Sequence, residues 1–282
     1  MMVSMFWVGA PLQEINKMKT DFHMHTEFSK DSESSPELMI KAAIRLGLDS
    51  ICITDHHDED FVEEGFLIEF ENYFSTLQYL QEKYRDRIHI RIGMEYGLQP
   101  HLGESCQNLV KKYPFDFVIG SKHLLDGANP YYRSCFINMT DEEAYKRWFV
   151  ELLDDVKAVK DFDVLGHLDY VVRYGTEQHH TYTYEKNAEL IDEILKIIVS
   201  QNKGLEINTG GWKYGLPFAH PHTDVLKRYR ELGGEIITIG SDAHKPEHVA
   251  YDFHKVSKIL KACGFKYYTE FCQRKPIFRQ LP

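Results

Sequence analysis

The sequence predicts an α/β protein built on a parallel sheet, either doubly wound or closed into a barrel. Three features carry that expectation. Short apolar runs of strand type alternate with longer stretches at helical spacing from Lys19 to the end. The strand-like runs are nearly continuous hydrophobics, as in Ser50-Ile-Cys-Ile-Thr54, the pattern of strands covered on both faces. No Pro/Gly/Ser-rich linker interrupts the alternation, so a single domain over residues 1–282 is expected, with residues 1–17 as an extension or cap ahead of the first strand.

In chain order, Thr20 to His25 reads as the first strand. Ser35-Pro36-Glu37 opens a helix, with serine as N-cap and proline at the first helical position. Leu38, Met39, Ala42, Ala43 and Leu46 fall at helical spacing, and Gly47 is the stop. Ser50 to Thr54 is the second strand. A long helix is expected around Glu64 to Lys83, a strand at Ile88 to Gly93, another at Phe115 to Gly120, and a helix over Asp141 to Lys160. Strands follow at Asp163 to Gly166 and Gly204 to Asn208, separated by a helix near Asn187 to Gln201. Asp224 to Leu232 is helical, Glu235 to Gly240 the last strand and Val249 to Cys263 the last helix. The count is about seven strands.

The net charge of -10 sets up a field that opposes nucleic acids and anionic membranes. A small phosphorylated substrate remains compatible, because locally placed cations can hold a phosphate inside an acidic protein. The five cysteines form no CxxC pair, and Cys52 sits in an apolar strand, where a small buried thiol is ordinary. Free thiols in a reducing compartment are expected. Met1 to Ala10 carries no Lys or Arg, and no run approaches membrane-spanning length, so a cytoplasmic location is expected.

The chemistry is written at the strand ends. In order they carry His23-Met-His25, Asp55-His56-His57, Glu95, Ser121-Lys122-His123, Gly166-His167-Leu-Asp169, Glu206-Ile-Asn208 and Gly240-Ser-Asp242-Ala-His244. In a parallel barrel or open α/β sheet those ends share one edge, where sites are built. Residues at i and i+2 of a strand point to one side, so His23 with His25, and Asp242 with His244, can converge. Any one His-x-His motif is weak; metal-type side chains at all seven ends point to a metal centre. Milder readings apply elsewhere. Asp55 is either a helix N-cap or part of the site. His89, His101 and Cys106 receive no role, and His179-His180 and His220-Pro-His222 read as solvated loop residues.

The succession HxH, TDHH, GxE, GSxH, GHxD and GSDAH resembles the PHP (polymerase and histidinol phosphatase) superfamily, over about Thr20 to His244. The stretches Gly166-His-Leu-Asp-Tyr-Val-Val-Arg173 and Leu205-Glu-Ile-Asn-Thr-Gly-Gly211 look like its histidinol-phosphate phosphatase branch. The resemblance implies a distorted (β/α)7 TIM-like barrel with a trinuclear centre. One metal would take His23, His25, Glu95 and Asp242; a second would share Glu95 and add His123 and His167; a third would take Asp31, His56 and His244. Some relatives have histidine at the position of Asp31, and Lys122 stands where the branch often has an apolar residue.

Such a centre would hold two or three divalent ions. Two ions about 3.5–4 Å apart acidify a bridging water and clamp the phosphoryl group for in-line attack. Glu95 is the natural bridging carboxylate, and Glu95 and Asp242 act catalytically through that bridging hydroxide. Nitrogen and oxygen donors without thiolate suit Zn, Fe or Mn. Arg173, whose planar fork matches phosphate oxygens, is the expected protein clamp. Asp169 and Asn208 lie near the rim, where each could touch substrate or orient a ligand from behind; Asn208 is placed on the substrate and Asp55 and Asp169 behind the ligands.

The expected activity is phosphomonoester hydrolysis of L-histidinol phosphate, in histidine biosynthesis. The rivals are a phosphoesterase for another small ester or nucleotide, an inactive metal-binding relative, and an amidohydrolase-like hydrolase. The Asp-x-His end and the lack of a bridging lysine disfavour the last.

Overall fold

The structure, a computed structural model, describes residues 18–176 and 182–282, so residues 1–17 and the pair His179-His180 lie outside it. The strands β1 (Thr20–Asp21), β2 (Ser50–Ile53), β3 (His56–His57), β4 (His89–Gly97), β5 (Phe117–Ser121), β6 (Val164–Leu165), β7 (Gly204–Asn208) and β8 (Ile237–Gly240) form one parallel sheet. The hydrogen-bonded order is β1-β2-β4-β5-β6-β7-β8, with β3 pairing β4 just beyond β2, so the two short strands make one stave. Phe22 N–H donates to Ile239 O at 2.8 Å and Met24 bridges Ala243, which brings β8 back to β1 and closes a seven-staved barrel.

The helices α1 (Pro36–Leu46), α2 (Phe70–Tyr84), α3 (Gly103–Lys112), α4 (Asp141–Ala158), α5 (Ala188–Ser200), α7 (Thr223–Glu231) and α8 (Val256–Ala262) surround the staves, while the short α6 (Gly210–Lys213) follows β7 beside Asp242. α1 follows an extended Ser35, whose side chain makes no capping hydrogen bond, starts with Pro36 and ends where Gly47 takes φ +75°, a turn glycine adopts without steric cost. Between helices and barrel lies an apolar layer that includes Met39, Tyr73, Trp148, Phe149 and Ile194. A second cluster, Phe22, Cys52, Phe117, Ile119, Val164 and Phe271, holds inward-facing side chains of four staves. Phe271 comes from the hairpin β9 (Tyr267–Cys272) and β10 (Lys275–Gln280), its ring 4.9 Å from Phe117. The barrel is thus filled below and polar above.

Several elements differ from expectation. The last helix starts at Val256 and not at Val249, because Ala250 and Asp252 take positive φ (54° and 55°). The short α6 was not expected. Four further differences have a visible reason. β4 continues past Gly93 to Gly97, which puts Glu95 within a strand. α2 starts at Phe70, because a 3-10 turn at Glu59–Glu64 precedes it and Glu69 caps Asn72 N–H. α3 was not expected; its sequence is polar and Cys106 is its buried residue, so no apolar period marks it. The hairpin turns at Gln273 and Arg274, both at positive φ (51° and 62°), without the glycine or asparagine that normally signals such a turn.

Lys122 has an account here. Between the inward-facing Ser121 and His123 it points outward, where Nζ meets Glu151 Oε2 at 3.0 Å and Asp155 Oδ2 at 3.1 Å. Burial pushes the Asp155 carboxyl up to about 6, against the pull of Lys122. Breaking a buried pair from one side leaves an uncompensated charge, at a cost of about 3–5 kcal/mol. Lys122→Met is therefore expected to lose roughly that much stability at pH 7.5 in urea denaturation. The deficit shrinks at pH 5, where Asp155 takes up a proton and the stranded charge disappears. An equal loss at both pH values would contradict this pairing.

Candidate metal centre

Two backbone clasps bring chain ends together over the barrel mouth. Asp242 N–H donates to His23 O (2.9 Å) and His25 N–H to Ala243 O (2.8 Å), so the His23–His25 and Asp242–His244 segments lie side by side. Asp55 builds the next wall. It accepts from Thr26 N–H at 2.5 Å, Thr26 Oγ1 at 2.8 Å and Ser29 Oγ at 2.6 Å. Ser29 Oγ in turn accepts from His56 N–H at 3.0 Å and lies 3.1 Å from His25 Nδ1. Asp55 is neither helix cap nor a donor to the centre; it fixes the loop that orients two histidines.

Glu95 stands in the middle, fully buried. Its Oε1 lies 2.9 Å from His167 Nε2 and 3.2 Å from His123 Nε2. Its Oε2 lies 2.9 Å from His56 Nδ1, 3.3 Å from His23 Nε2 and 3.5 Å from His25 Nε2. One carboxylate thus faces two sets of imidazoles with separate oxygens. Asp242 Oδ1 is 3.4 Å from His25 Nε2, 3.5 Å from His244 Nδ1 and 4.0 Å from His23 Nε2. Asp31, from the loop before α1, puts Oδ2 3.1 Å from His244 Nε2 and 3.6 Å from His56 Nε2. The His25 ring is stacked between those of His56 (4.2 Å) and His244 (4.1 Å). All nine residues expected as ligands meet at this one mouth.

The donor pattern can be tested for fit to a cation. His23 Nδ1 is 2.6 Å from Glu206 Oε1, His123 Nδ1 2.7 Å from Asp58 Oδ1, and His244 Nδ1 3.1 Å from Asp242 O. His25 Nδ1 faces Ser29 Oγ, whose own proton goes to Asp55. In each case Nδ1 must donate, which leaves Nε2 as a lone pair when the ring is neutral. Those lone pairs converge: His23 Nε2 and His25 Nε2 are 3.1 Å apart, with Glu95 Oε2 beside both. His56 Nδ1 and Glu95 Oε2 are buried without a hydrogen-bond partner. With its rings neutral, such a cluster repels itself unless protons or a cation sit in it. Among the described residues, three groups have nitrogen and oxygen atoms close enough to hold a metal ion: His25-His56-His244, His23-His25-Glu95 and His56-Glu95-His123.

Electrostatics agree with that reading. Burial favours the neutral acid of Glu95, but His23, His123 and His56 outweigh it and hold the carboxyl well below its usual range. Asp242 is depressed in the same way, burial being overcome by His25, His23 and Lys213. Burial, then His244 and His56 beside it, keeps His25 well below the usual imidazole value and so neutral.

The surrounding residues include several that the sequence left unassigned. Asp58 orients His123, and Glu206 holds His23 while accepting His167 N–H at 3.0 Å. The i, i+2 spacing of His56 with Asp58 and of Glu206 with Asn208 was the available signal. Asn208 is placed differently from expectation. Rather than standing at the rim it is buried behind His23, with Nδ2 donating to Glu206 Oε2 (3.2 Å) and Oδ1 accepting Gly210 N–H (2.8 Å). Asp169 is likewise buried, accepting from His220 Nδ1 at 2.6 Å and His222 N–H at 2.7 Å. His220 is correspondingly enclosed and not a solvated loop residue. Arg173 is half-buried: its guanidinium lies 4.1 Å from the ring centres of both Tyr170 and Tyr214. Nη2 donates to Tyr174 OH at 2.7 Å, while Nε and Nη1 are buried without a partner.

Comparison with known proteins agrees with this geometry. The PHP domain model matches residues 21–210. Histidinol-phosphatase of Lactococcus lactis subsp. lactis is 34% identical over 263 residues, covering 91% of this chain and 96% of that protein. A probable histidinol-phosphatase of Clostridium acetobutylicum is 32% identical, covering 88% and 95%. The crystal structure of the Lactococcus lactis histidinol phosphate phosphatase, complexed with zinc, L-histidinol and phosphate, superposes with a TM-score of 0.84 at 33% identity, over 92% of this chain and 98% of that one. A putative histidinol phosphatase from Listeria monocytogenes shares the fold, with a TM-score of 0.72 at 20% identity over 83% and 98%. Barrel, donor set and extent of similarity together establish that the chain belongs to the PHP family, in its histidinol-phosphatase branch.

Proposed function

We propose that the protein is a metal-dependent phosphomonoesterase that hydrolyses L-histidinol phosphate to L-histidinol and phosphate, a step of histidine biosynthesis. The observation that carries this is the mouth itself: a buried bridging carboxylate between two imidazole sets, with a guanidinium holding two unpartnered donor atoms in the same layer. The similar Lactococcus lactis enzyme, with zinc, L-histidinol and phosphate in its structure, supports the substrate. In this reading two or three divalent ions of the zinc, iron or manganese type are held by His23, His25, Asp242, His123, His167, His56, His244 and Asp31, with Glu95 shared. Bound there, they would acidify water and neutralise charge developing on the phosphoryl oxygens.

The protein's own residues do the rest. Glu95 and Asp242 stay ionised in a buried site and so keep their oxygens available as ligands. Glu206, Asp58 and Ser29 fix the rings of His23, His123 and His25, and Asp55 fixes Ser29. Arg173, held flat between two tyrosine rings, offers Nε and Nη1 to phosphate oxygens in a fixed plane. Asn208 supports His23 from behind, with Nδ2 on Glu206 and Oδ1 on Gly210 N–H.

Phosphate release from a panel of small phosphomonoesters by metal-loaded protein tests the proposal. Histidinol phosphate is expected to give the highest kcat/KM; a higher value for a nucleotide or sugar phosphate would reject the substrate. Two lost charged hydrogen bonds are each worth about 1.5–3 kcal/mol, so Arg173→Ala should cost about a hundredfold or more in kcat/KM. Arg173→Lys should recover little, because an ammonium cannot occupy both positions of the fork. Full recovery by lysine would show that charge alone matters there.

A further inference from the structure

Besides the ligand cluster and Arg173, the mouth contains a buried acid–imidazole pair with one polar atom unspent. His220 is 1% exposed, and its Nδ1–H donates to Asp169 Oδ1 at 2.6 Å. Its Nε2 is buried and has no hydrogen-bond partner. Where that ring points follows from its backbone. Asn208 N–H donates to His220 O (2.6 Å) and His220 N–H to Asn208 O (2.8 Å), forming an antiparallel bridge. Facing residues of such a pair put their side chains on one face. Asn208 faces the metal-site side, with Nδ2 3.5 Å from His23 Nδ1 and bonded to Glu206, so His220 is aimed to that side as well. Asp169 lies two residues beyond His167, and its second oxygen accepts His222 N–H, which holds the pair from both ends.

The His220 loop is also seated close to Asp242. A Cβ on Gly211 would lie 2.5 Å from Phe218 O, so backbone packs on backbone there. A Cβ on the adjoining Gly210 would lie 3.3 Å from Asp242 Oδ2. Two nearby donors are already committed to protein partners. Lys213 Nζ donates to Asp242 O, and the Tyr174 hydroxyl donates to that of Tyr170 while accepting from Arg173.

We infer that His220 is the acid that protonates the departing alcohol, with Asp169 as its positioning residue. The inference rests on the phosphatase reading and deepens it. As the phosphorus–oxygen ester bond breaks, its electron pair goes to the alcohol oxygen. That oxygen takes the proton from Nε2 of an imidazolium whose Nδ1–H remains on Asp169. The water that adds oxygen to phosphorus leaves one hydrogen on the phosphate; its other proton returns the imidazole to its starting form through solvent. Acid catalysis of this kind is typically worth about 10²–10⁴-fold.

The test compares two esters that lack the histidinol moiety and differ in the alcohol released. Benzyl phosphate releases a poor leaving group that needs a proton, and 4-nitrophenyl phosphate a good one that does not. In metal-loaded His220→Gln, kcat for benzyl phosphate is expected to fall by about a hundredfold more than kcat for 4-nitrophenyl phosphate. Equal losses on both, or a loss confined to histidinol phosphate, would overturn the assignment and make His220 structural or a substrate-binding residue. If the variant does not fold, wild-type kcat over a series of alkyl and aryl phosphates decides. A shallow dependence on leaving-group basicity supports an acid; a steep one overturns it. A wild-type protein that releases phosphate from no alkyl ester would instead remove the phosphatase reading, and this inference with it.

Discussion

Glu95→Gln is expected to reduce phosphate release by at least about a thousandfold while leaving the barrel folded. Each carboxylate oxygen of Glu95 faces its own imidazole set: Oε1 faces His123 and His167, and Oε2 faces His56, His23 and His25. An amide of the same shape keeps the packing but offers one acceptor oxygen and an NH2 that no cation accepts as a ligand. The loss should exceed the 10–100-fold typical of removing a residue that only supports a ligand. Metal content by elemental analysis should fall in parallel, and circular dichroism should be unchanged, because the apolar layer around Trp148 and Phe149 lies on the far side of the strands. Turnover within tenfold of wild type would show that no shared cation site exists at Glu95.

How far this centre was legible in the sequence depended on the range of the pairing. His23 with His25, and Asp242 with His244, are two residues apart, and the strand period alone places each pair on one side. That same period explains Lys122 once the flanking Ser121 and His123 are seen to point inward. The partners of the ligands were not legible in the same way. Glu206 is 183 residues from His23 and Asp58 is 65 from His123, and no local pattern links such pairs. Asn208 was misplaced because its surroundings depend on a backbone bridge to His220, in a stretch without strand periodicity. The bridge turned an apparent loop histidine into a buried one, and an apparent rim amide into a support for His23. The closing hairpin escaped for a third reason: its two positive-φ turn residues, Gln273 and Arg274, are not those that normally announce a turn.

Stripping the metal ions is expected to destabilise the protein, and the gap between loaded and stripped forms should widen as pH rises from about 6.5 to 9. In the metal-free protein protons take the place of cations. Against the effect of burial, Asp58 and Glu95 raise His123 to about 9, and Glu206 and Glu95 raise His23 well above the usual imidazole value. His56 is raised likewise, against burial, by Glu95 and Asp31. A histidine whose folded value is raised contributes stability that is fully present below the unfolded value near 6.5 and is lost as pH passes through the folded one. For His123 alone that amounts to about 3 kcal/mol, at about 1.36 kcal/mol per unit. The stripped protein therefore weakens across this window. In the loaded protein a cation replaces the proton, binding releases protons, and apparent metal affinity rises over the same range. Melting temperatures of both forms at pH 6.5, 7.5 and 9 give the comparison directly. A difference that stays constant or narrows would mean that the imidazoles around Glu95 do not exchange protons for metal ions.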